Sequence, residues 1–321
     1  MRQTLLIRAP SHLGDLLMAL PVLRAIDAQP RLAARLLGPR RLLDWLAPQL
    51  PHIVRIGLDA QVRESVEHYR GVQRALLLNG SLRSPLLAWL AGVPERHGLG
   101  SRGRRMLLTH SMSAPGPRPF SGVCVELAAR MGIEVREREV RLQVREPGLR
   151  QADERLAQCG VDGPFVLVLA GARVGSSKGL PAELAAQCLR HEARALVLVS
   201  APGEAQAARE LAAVLPQARS LEDVGLEELA ALSARAAIVL CSDGGARHVA
   251  RAAGTAVLTL FGPTDPRHTS DGAHVEREFA GRVPCGPCHR ERCPNAPALR
   301  HSCWQAIDPE RVAAALARPL D

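Results

Sequence analysis

Short apolar runs alternate with helix-spaced apolar positions along almost the whole chain. The first run, residues 4–8, predicts a strand. In residues 15–28 the positions Leu16, Leu17, Leu20, Leu23 and Ile26 share one helical face, and Pro21 predicts a kink or a loosened first turn there. Further strands are predicted at 34–37, 52–57 and 75–78, and helices at 40–46, 62–69, 85–91 and 122–131. Residues 146–160 read as a polar helix without a deep apolar stripe, the expected connector. The alternation then restarts, with strands at 164–169, 195–199, 237–240 and 256–261. Helices are predicted between them at 181–191, 203–215, 226–233 and 245–253. A terminal helix at 308–317 carries Asp308 as N-cap and Pro309 at the first helical position. Strand–helix alternation of this kind implies an α/β fold with parallel sheets covered on both faces. The restart implies two doubly wound domains, 1–155 and 156–321, with no further repeat.

Two glycine turns stand at matching places in the two halves. One is Ala9-Pro10-Ser11-His12-Leu13-Gly14-Asp15, the other Cys241-Ser242-Asp243-Gly244-Gly245-Ala246-Arg247-His248. Each follows an apolar strand and opens a helix. Such a turn presents bare backbone N–H groups and a positive helix end at the carboxyl edge of a sheet. Two of them suit an enzyme that holds a phosphate-bearing donor on one domain and an acceptor on the other.

Composition sharpens this in three ways. With aromatics at only 2%, the core is built from Leu, Ala and Val, and recognition of single-stranded nucleic acid on stacking platforms is disfavoured. The net charge of +9 fits an anionic partner or a solvated arginine surface. Its one modest cluster is Arg102, Arg104 and Arg105, and no nucleic-acid motif accompanies it. No run reaches the roughly 18 apolar residues that span a bilayer. Residues 1–8 read as a strand rather than a leader, because the polar turn at 10–15 interrupts the apolar run. The expected location is cytoplasmic, peripheral to a membrane, with the eight cysteines mostly reduced.

Several side chains carry candidate chemistry. Asp15 follows Gly14 at a strand-to-helix turn, where a carboxylate can take a proton from a hydroxyl nucleophile; the alternative is a plain N-cap. Neither Gly-x-Gly-x-x-Gly nor Gly-Lys-Ser/Thr is present, which excludes a dinucleotide fingerprint and a Walker loop. In the loop 171–181, Lys178 can neutralise a diphosphate and Ser176 and Ser177 can donate to it; the alternative is a flexible surface loop. Gly244 and Gly245 let an anion approach the backbone closely, with His248 on the first turn as either a ligand contact or a structural histidine. Thr264, in Gly262-Pro263-Thr264-Asp265-Pro266, either touches a ligand at the same sheet edge or sits in a simple turn. Cys285-x2-Cys288-x4-Cys293-x9-Cys303 matches neither a zinc ribbon nor a plant-type ferredoxin. Structural zinc and reduced structural thiols both remain readings of it, and no metal is assigned to the chemistry.

With these residues assembled, the chain resembles the glycosyltransferase family 9 heptosyltransferases over nearly its whole length. The N-terminal signature is Ile7-Arg8-Ala9-Pro10-Ser11-His12-Leu13-Gly14-Asp15 followed by Leu20-Pro21-Val22-Leu23-Arg24. The middle one runs from Gly171-Ala172-Arg173 to Lys178-Gly179-Leu180-Pro181. The most specific is Ser242-Asp243-Gly244-Gly245 with His248, then Leu260-Phe261-Gly262-Pro263-Thr264-Asp265-Pro266. The late cysteine segment and Asp308-Pro309-Glu310-Arg311-Val312 also resemble family members.

The resemblance implies a GT-B fold, two Rossmann-like domains facing across a cleft, with the acceptor on the first and the nucleotide-sugar on the second. It implies inverting, metal-independent transfer of heptose from ADP-heptose to a Kdo or heptose residue on lipid A, in the inner core of lipopolysaccharide, without a cofactor. Asp15 aligns with the family's catalytic base and Lys178 with its phosphate-contacting lysine. The donor set becomes Ser176, Ser177, Lys178, Glu204, Asp243, Gly244, Gly245, His248 and Thr264, with Glu204 matched to a ribose-contacting acid. The acceptor set becomes Ser11, His12 and Gly14. The implied partners are a nucleotide-sugar and an anionic glycolipid at the cytoplasmic leaflet, with no nucleic acid. The chain departs from the pattern at Ser242, where the family has Asn or Thr, and at Gly244, where it has Ser; Arg247 is an added cation. The alternative is a family 9 transferase using another nucleotide-sugar on a different surface glycan.

Overall fold

The computed structural model describes residues 3–101, 103–113, 116–169, 177–270 and 275–318. It divides into two compact units: Met1–Val140 with Arg267–Asp271, and Arg141–Pro266 with Gly272–Asp321.

The first unit runs β1 (Gln3–Arg8), α1 (Leu13–Met18), α2 (Leu20–Asp27), β2 (Leu32–Pro39), α3 (Arg40–Leu46) and β3 (Val54–Leu58). It continues with β4 (Arg74–Leu77), α4 (Arg83–Leu90), β5 (Glu95–Leu99), α5 (Arg104–Leu107), β6 (His110–Met112) and α6 (Phe120–Arg130). The strands form one parallel sheet in the order β3-β2-β1-β4-β5-β6, with Ile7 of β1 opposite Leu36 on β2 and Leu76 on β4. Leu5, Leu6 and Ile7 are all buried. A strand covered on both faces needs such a continuous apolar run rather than an alternating one.

The second unit repeats this topology. It begins with α7 (Glu146–Gln158), β7 (Phe165–Leu169), α8 (Ala182–Leu189), β8 (Ala195–Val199), α9 (Ala205–Val214) and β9 (Arg219–Leu221). Then come α10 (Leu226–Arg235), β10 (Ile238–Ser242), α11 (Gly245–Ala252), β11 (Val257–Phe261), β12 (Glu276–Ala280), α12 (Ser302–Gln305) and α13 (Pro309–Leu316). The sheet is again parallel, in the order β12-β11-β10-β7-β8-β9. In both sheets the first and fourth strands of the unit are central neighbours and the strand order reverses between them.

Where prediction and structure differ, local chemistry explains the difference. The helix expected over 15–28 is two helices, α1 and α2, parted at Ala19. Pro21 lacks an N–H and its ring crowds the preceding turn, so it starts a new helix instead of kinking one. The helix expected over 62–69 is only a 3₁₀ turn, Val66–Tyr69, capped by Ser65 and His68. One turn suffices to bury Tyr69. Strands β5, β6, β9 and β12 were not predicted: each is short, three to five residues, and carries polar residues.

The polar helix α7 packs on α10 in the second unit through charge. Arg155 donates to Glu228 at 2.8 Å, and Arg235 meets both Asp153 oxygens at 2.8 and 2.7 Å. The terminal helix has its expected cap, with Asp308 accepting from the Glu310 N–H at 3.0 Å. It returns Val312 and Leu316 to a core that includes Val166, Leu198, Leu240, Leu258 and Trp304. No helix among the described residues is long and apolar enough to cross a membrane.

Trp304 closes that core over the end of β11. A Cβ placed on Gly262 would lie 2.2 Å from the indole ring, so only glycine lets the ring sit there. Gly262→Ala is expected to displace Trp304 and cost about 1–3 kcal/mol, the scale of overpacking. Urea unfolding should show a lower midpoint with an unchanged slope. At the exposed loop residue Gly163 an added Cβ meets nothing within 4 Å, so Gly163→Ala serves as the neutral control.

Candidate active site

In open parallel sheets, ligands bind outside the carboxyl ends of the strands, where the strand order reverses. In the first unit this place lies beyond β1 and β4. The β1 end leads through Ser11 and His12, both exposed, into α1. His12 occupies the cap position in extended conformation, and its carbonyl accepts the Leu16 N–H at 3.0 Å. Asp15 is therefore the third residue of α1, not its N-cap. Its side chain is half exposed, and Oδ2 lies 3.8 Å from His12 Nδ1. A carboxylate in the first helical turn is favoured by the positive end of the helix.

The first unit also holds a cavity of about 390 Å³ that sequence reasoning missed, lined in part by Arg8, Arg63, Arg83, Asp59 and Glu64. Arg8 ends β1 and is buried; its Nε forms an ion pair with Glu64 Oε2 at 3.1 Å without hydrogen-bond geometry. Arg8 Nη1 donates to the Ala9 carbonyl at 2.6 Å. Tyr69 donates to Glu64 Oε1 at 2.5 Å, and burial together with the Glu64 charge pushes the phenol's pKa up. Arg8 stood inside the N-terminal signature, which was the available signal.

In the second unit the reversal lies between β7 and β10. Residues 170–176 after β7, Ser176 among them, are outside the described residues. Ser177 is buried; its N–H donates to the Glu291 carbonyl at 2.7 Å and its hydroxyl to the Arg290 carbonyl at 2.5 Å. That hydroxyl proton is thus spent on the chain, and Ser177 anchors a loop instead of donating to a phosphate. Lys178 follows directly and is partly exposed. Glu204, at the cap position of α9, is partly exposed on the loop after β8. Thr264, after β11, is buried, and its hydroxyl has no hydrogen-bond partner among the described residues.

After β10 the chain passes through Asp243 and the extended cap residue Gly244 into Gly245, the first residue of α11. Gly244 and Gly245 stand where the expected backbone donors belong. Arg247, expected as an added cation beside the site, lies behind the turn and is neutralised by acids. It is fully buried, donating to both Glu276 oxygens at 2.5 and 2.9 Å, to Glu278 at 3.2 Å and to Asp243 at 3.1 Å. Its guanidinium lies 4.9 Å from the Phe261 ring centre. Burial alone would lower its pKa, but Glu276 and Asp243 outweigh burial and raise it. Glu276 also accepts from Thr259 at 2.5 Å and from Arg251 at 3.3 Å. His248 is buried beside these two arginines, and burial followed by their charge holds its pKa well below the usual histidine range. It is a neutral imidazole, able to offer a ligand a hydrogen bond but not a charge. The alternating Glu276 and Glu278 on β12 were the missed signal for the partners of Arg247.

The arrangement suits an anion. Two neighbouring strands of the second sheet end in a loop bearing Lys178 and in a glycine turn opening a helix of eight residues. A diphosphate leaving group would meet backbone N–H groups, a helix dipole and a lysine.

The model of the family described as glycosyltransferase family 9 (heptosyltransferase) matches residues 48–299. Lipopolysaccharide heptosyltransferase 2 of Escherichia coli K12 is 25% identical, with 96% of each chain covered. Lipopolysaccharide heptosyltransferase 1 of Pseudomonas aeruginosa is 31% identical over 35% of each chain. Among solved structures, E. coli ADP-heptose LPS heptosyltransferase II superposes with a TM-score of 0.74 at 24% identity, covering 99% of this chain and 98% of its own. A family 9 transferase from Veillonella parvula gives 0.72 at 18% identity, covering 86% and 85%. The two structural likenesses carry the fold, a GT-B type built of two Rossmann-like units. The family match extends over most of the chain, so the chain belongs to glycosyltransferase family 9 and is a glycosyltransferase of the heptosyltransferase kind.

Proposed function

We propose that the chain transfers heptose from ADP-heptose to a Kdo or heptose residue of the lipopolysaccharide inner core, with inversion and without a metal in the chemical step. The observation that carries this is the Gly244–Gly245 turn opening α11 after β10, beside β7 at the reversal point of the second sheet, with Lys178 in the connection from β7 to α8. The names of its relatives, lipopolysaccharide heptosyltransferases, support the substrate class. In this reading the second unit takes the nucleotide-sugar, with Glu204 toward the ribose and Thr264 and His248 as neutral hydrogen-bonding groups. The first unit takes the acceptor near Ser11, His12 and Gly14. The arginine-lined cavity beside Arg8 suits the acceptor's anionic groups.

The reaction is a direct displacement. Asp15 takes the proton of the acceptor hydroxyl as its oxygen bonds to the anomeric carbon, and the bond from that carbon to the diphosphate breaks on the opposite face. Negative charge then grows on the diphosphate, where Lys178, the backbone N–H groups after Asp243 and the α11 dipole stabilise it. Gly244 has no hydroxyl for that oxygen, so the backbone carries more of the load. No cofactor enters.

The exposed surface of the first unit supports peripheral membrane contact. Leu82 and Leu86, with Trp89 at 53% and Leu90 at 56% exposure, are presented by α4 and its cap, and Met106 on the adjoining α5 is 89% exposed. Arg83 and Arg105 are exposed on the same helices. An aromatic and aliphatic patch carrying positive charge fits the headgroup region of an anionic leaflet.

Variant kinetics, donor titration and vesicle binding test these readings. Asp15→Asn should lower kcat by about 10²–10⁴-fold, the scale of general base catalysis, with donor affinity in calorimetry little changed. Lys178→Ala should raise the barrier by about 2–4 kcal/mol. Full turnover in Asp15→Asn would remove the base assignment, and tighter binding of UDP-, GDP- or CDP-sugars than of ADP-heptose would move the enzyme to another glycan. For the membrane, vesicles of phosphatidylethanolamine with phosphatidylglycerol should sediment the wild-type protein, and Trp89→Ser with Leu90→Ser should stay in the supernatant. Equal binding of both proteins would place the contact elsewhere.

A further inference from the structure

The chain holds one tyrosine, Tyr69, and it is fully buried in an apolar cluster with Leu6, Leu37, Ala75 and Leu77. Packing alone asks for phenylalanine there, because a buried hydroxyl costs free energy unless it is bonded. The Tyr69 hydroxyl is bonded: it donates to Glu64 Oε1 at 2.5 Å, and burial with the Glu64 charge raises its pKa, so it stays a donor. Glu64 is itself a buried acid at the end of an exposed run, residues 59–63. Its Oε2 faces Arg8 Nε at 3.1 Å, and its backbone carbonyl accepts from Arg83 Nη2 at 2.7 Å. A buried ion pair is a costly way to fill a core, where apolar residues of the same volume do as well or better. The network calls for a role other than stability.

The Arg8 guanidinium shows what is held. Nε faces Glu64, and Nη1 is spent on the Ala9 carbonyl at 2.6 Å. Nη2 has no hydrogen-bond partner among the described residues, yet it is not sealed from solvent. Arg8 is 7% exposed and lines the cavity of about 390 Å³, so this nitrogen is a donor at the cavity wall. The two acids of that wall are already matched, Glu64 by Arg8 and Asp59 by Arg40 at 2.5 Å. The charges of Arg63 and Arg83 are left in excess, which favours an anion in the cavity.

We propose that Glu64 and Tyr69 are positioning residues for the acceptor: Tyr69 fixes the Glu64 carboxylate, Glu64 fixes Arg8, and Arg8 offers Nη2 to one anionic oxygen of the acceptor, a carboxylate or a phosphate. This role rests on the first unit taking the acceptor. An arginine whose other nitrogens are tied down loses little freedom when the last one engages a ligand. Tyr69 is not part of the cavity wall and acts only through Glu64 and Arg8.

The probe is a soluble, O-deacylated Kdo–lipid A acceptor, titrated calorimetrically into the full chain without donor. Tyr69→Phe keeps the ring and removes only the hydroxyl; it should weaken binding about 3–10-fold, the scale of one hydrogen bond. Glu64→Gln, which leaves the Arg8 charge unpaired, should weaken it by about tenfold or more. ADP affinity should be unchanged in both. In an Arg8→Lys background, Tyr69→Phe should cost no further affinity, since its effect runs through Arg8. A purely structural pair would lower the urea midpoint of both variants and leave acceptor affinity alone, which overturns the proposal. Should Glu64→Gln fail to fold, Tyr69→Phe and the double variant decide. Dephosphorylating the probe or esterifying its carboxylates identifies the anion: the change that weakens wild type and no longer weakens Arg8→Lys marks the oxygen that Arg8 takes. If wild type and Arg8→Lys respond alike to both changes, Arg8 reads no anion and the proposal fails. Wild-type protein that binds ADP-heptose but not the probe overturns the acceptor reading and the positioning role with it. Probe binding that every variant retains overturns the positioning role alone.

Discussion

The second unit turns on one buried charge. Taking the Arg247 guanidinium out of water costs several kcal/mol, and nothing in an apolar core repays it. Here it is repaid by a two-point bond to Glu276, further bonds to Asp243 and Glu278, and the face of Phe261. Those partners come from β12, from the end of β11 and from the residue just after β10, so one side chain fixes three strands to the first turn of α11. The bond to Asp243 ties the residue before Gly244 to the first turn of α11. The neutrality of His248 follows too, since two arginines beside a desolvated imidazole make its protonation unfavourable.

The same network shows where sequence reasoning stops. The central strands were legible because a strand covered on both faces must be continuously apolar, as Phe165–Leu169 is. The edge strand β12, Glu-Arg-Glu-Phe-Ala, has no such run, and nothing in its spacing marks its acids as partners of Arg247. Pro21 was legible as a disturbance of a helix, but whether it bends or divides one depends on packing that periodicity does not encode.

The candidate site divides in the same way. The glycine turn at 243–245 was legible because its chemistry is local: small residues, a strand before and a helix after. Asp15 was legible as an acid at the strand-to-helix turn but not as the third residue of its helix, because the cap position fell to His12, a residue with no capping side-chain bond. Ser177 looked like a phosphate donor by composition; its real partners are over a hundred positions away at Arg290 and Glu291, beyond anything spacing can show. The pairing of Arg8 with Glu64 was hidden for the same reason.

The two units share one topology, yet the ends of their central strands are equipped differently. In the second, the loop after β10 is made of small residues, and the first turn of α11 is held from behind by Arg247. Backbone N–H groups and a helix dipole are fixed in direction and always present, which suits a group of invariant geometry such as a diphosphate. In the first, the loop after the corresponding strand, β4, is occupied: Arg104 donates to the Asn79 carbonyl at 2.7 Å and to the Ser81 carbonyl at 2.6 Å. Its cationic equipment is instead the side chains of Arg8, Arg63 and Arg83 around one cavity, which Asp59 and Glu64 also line. Guanidinium groups on side chains can adjust to carboxylates or phosphates at varied positions, which suits a branched and variably charged acceptor better than a rigid turn does. Under the proposed reaction, a constant donor is read by backbone and a variable acceptor by side chains. Substrate choice within the family would then follow the residues lining the first unit's cavity more closely than those of the glycine turn.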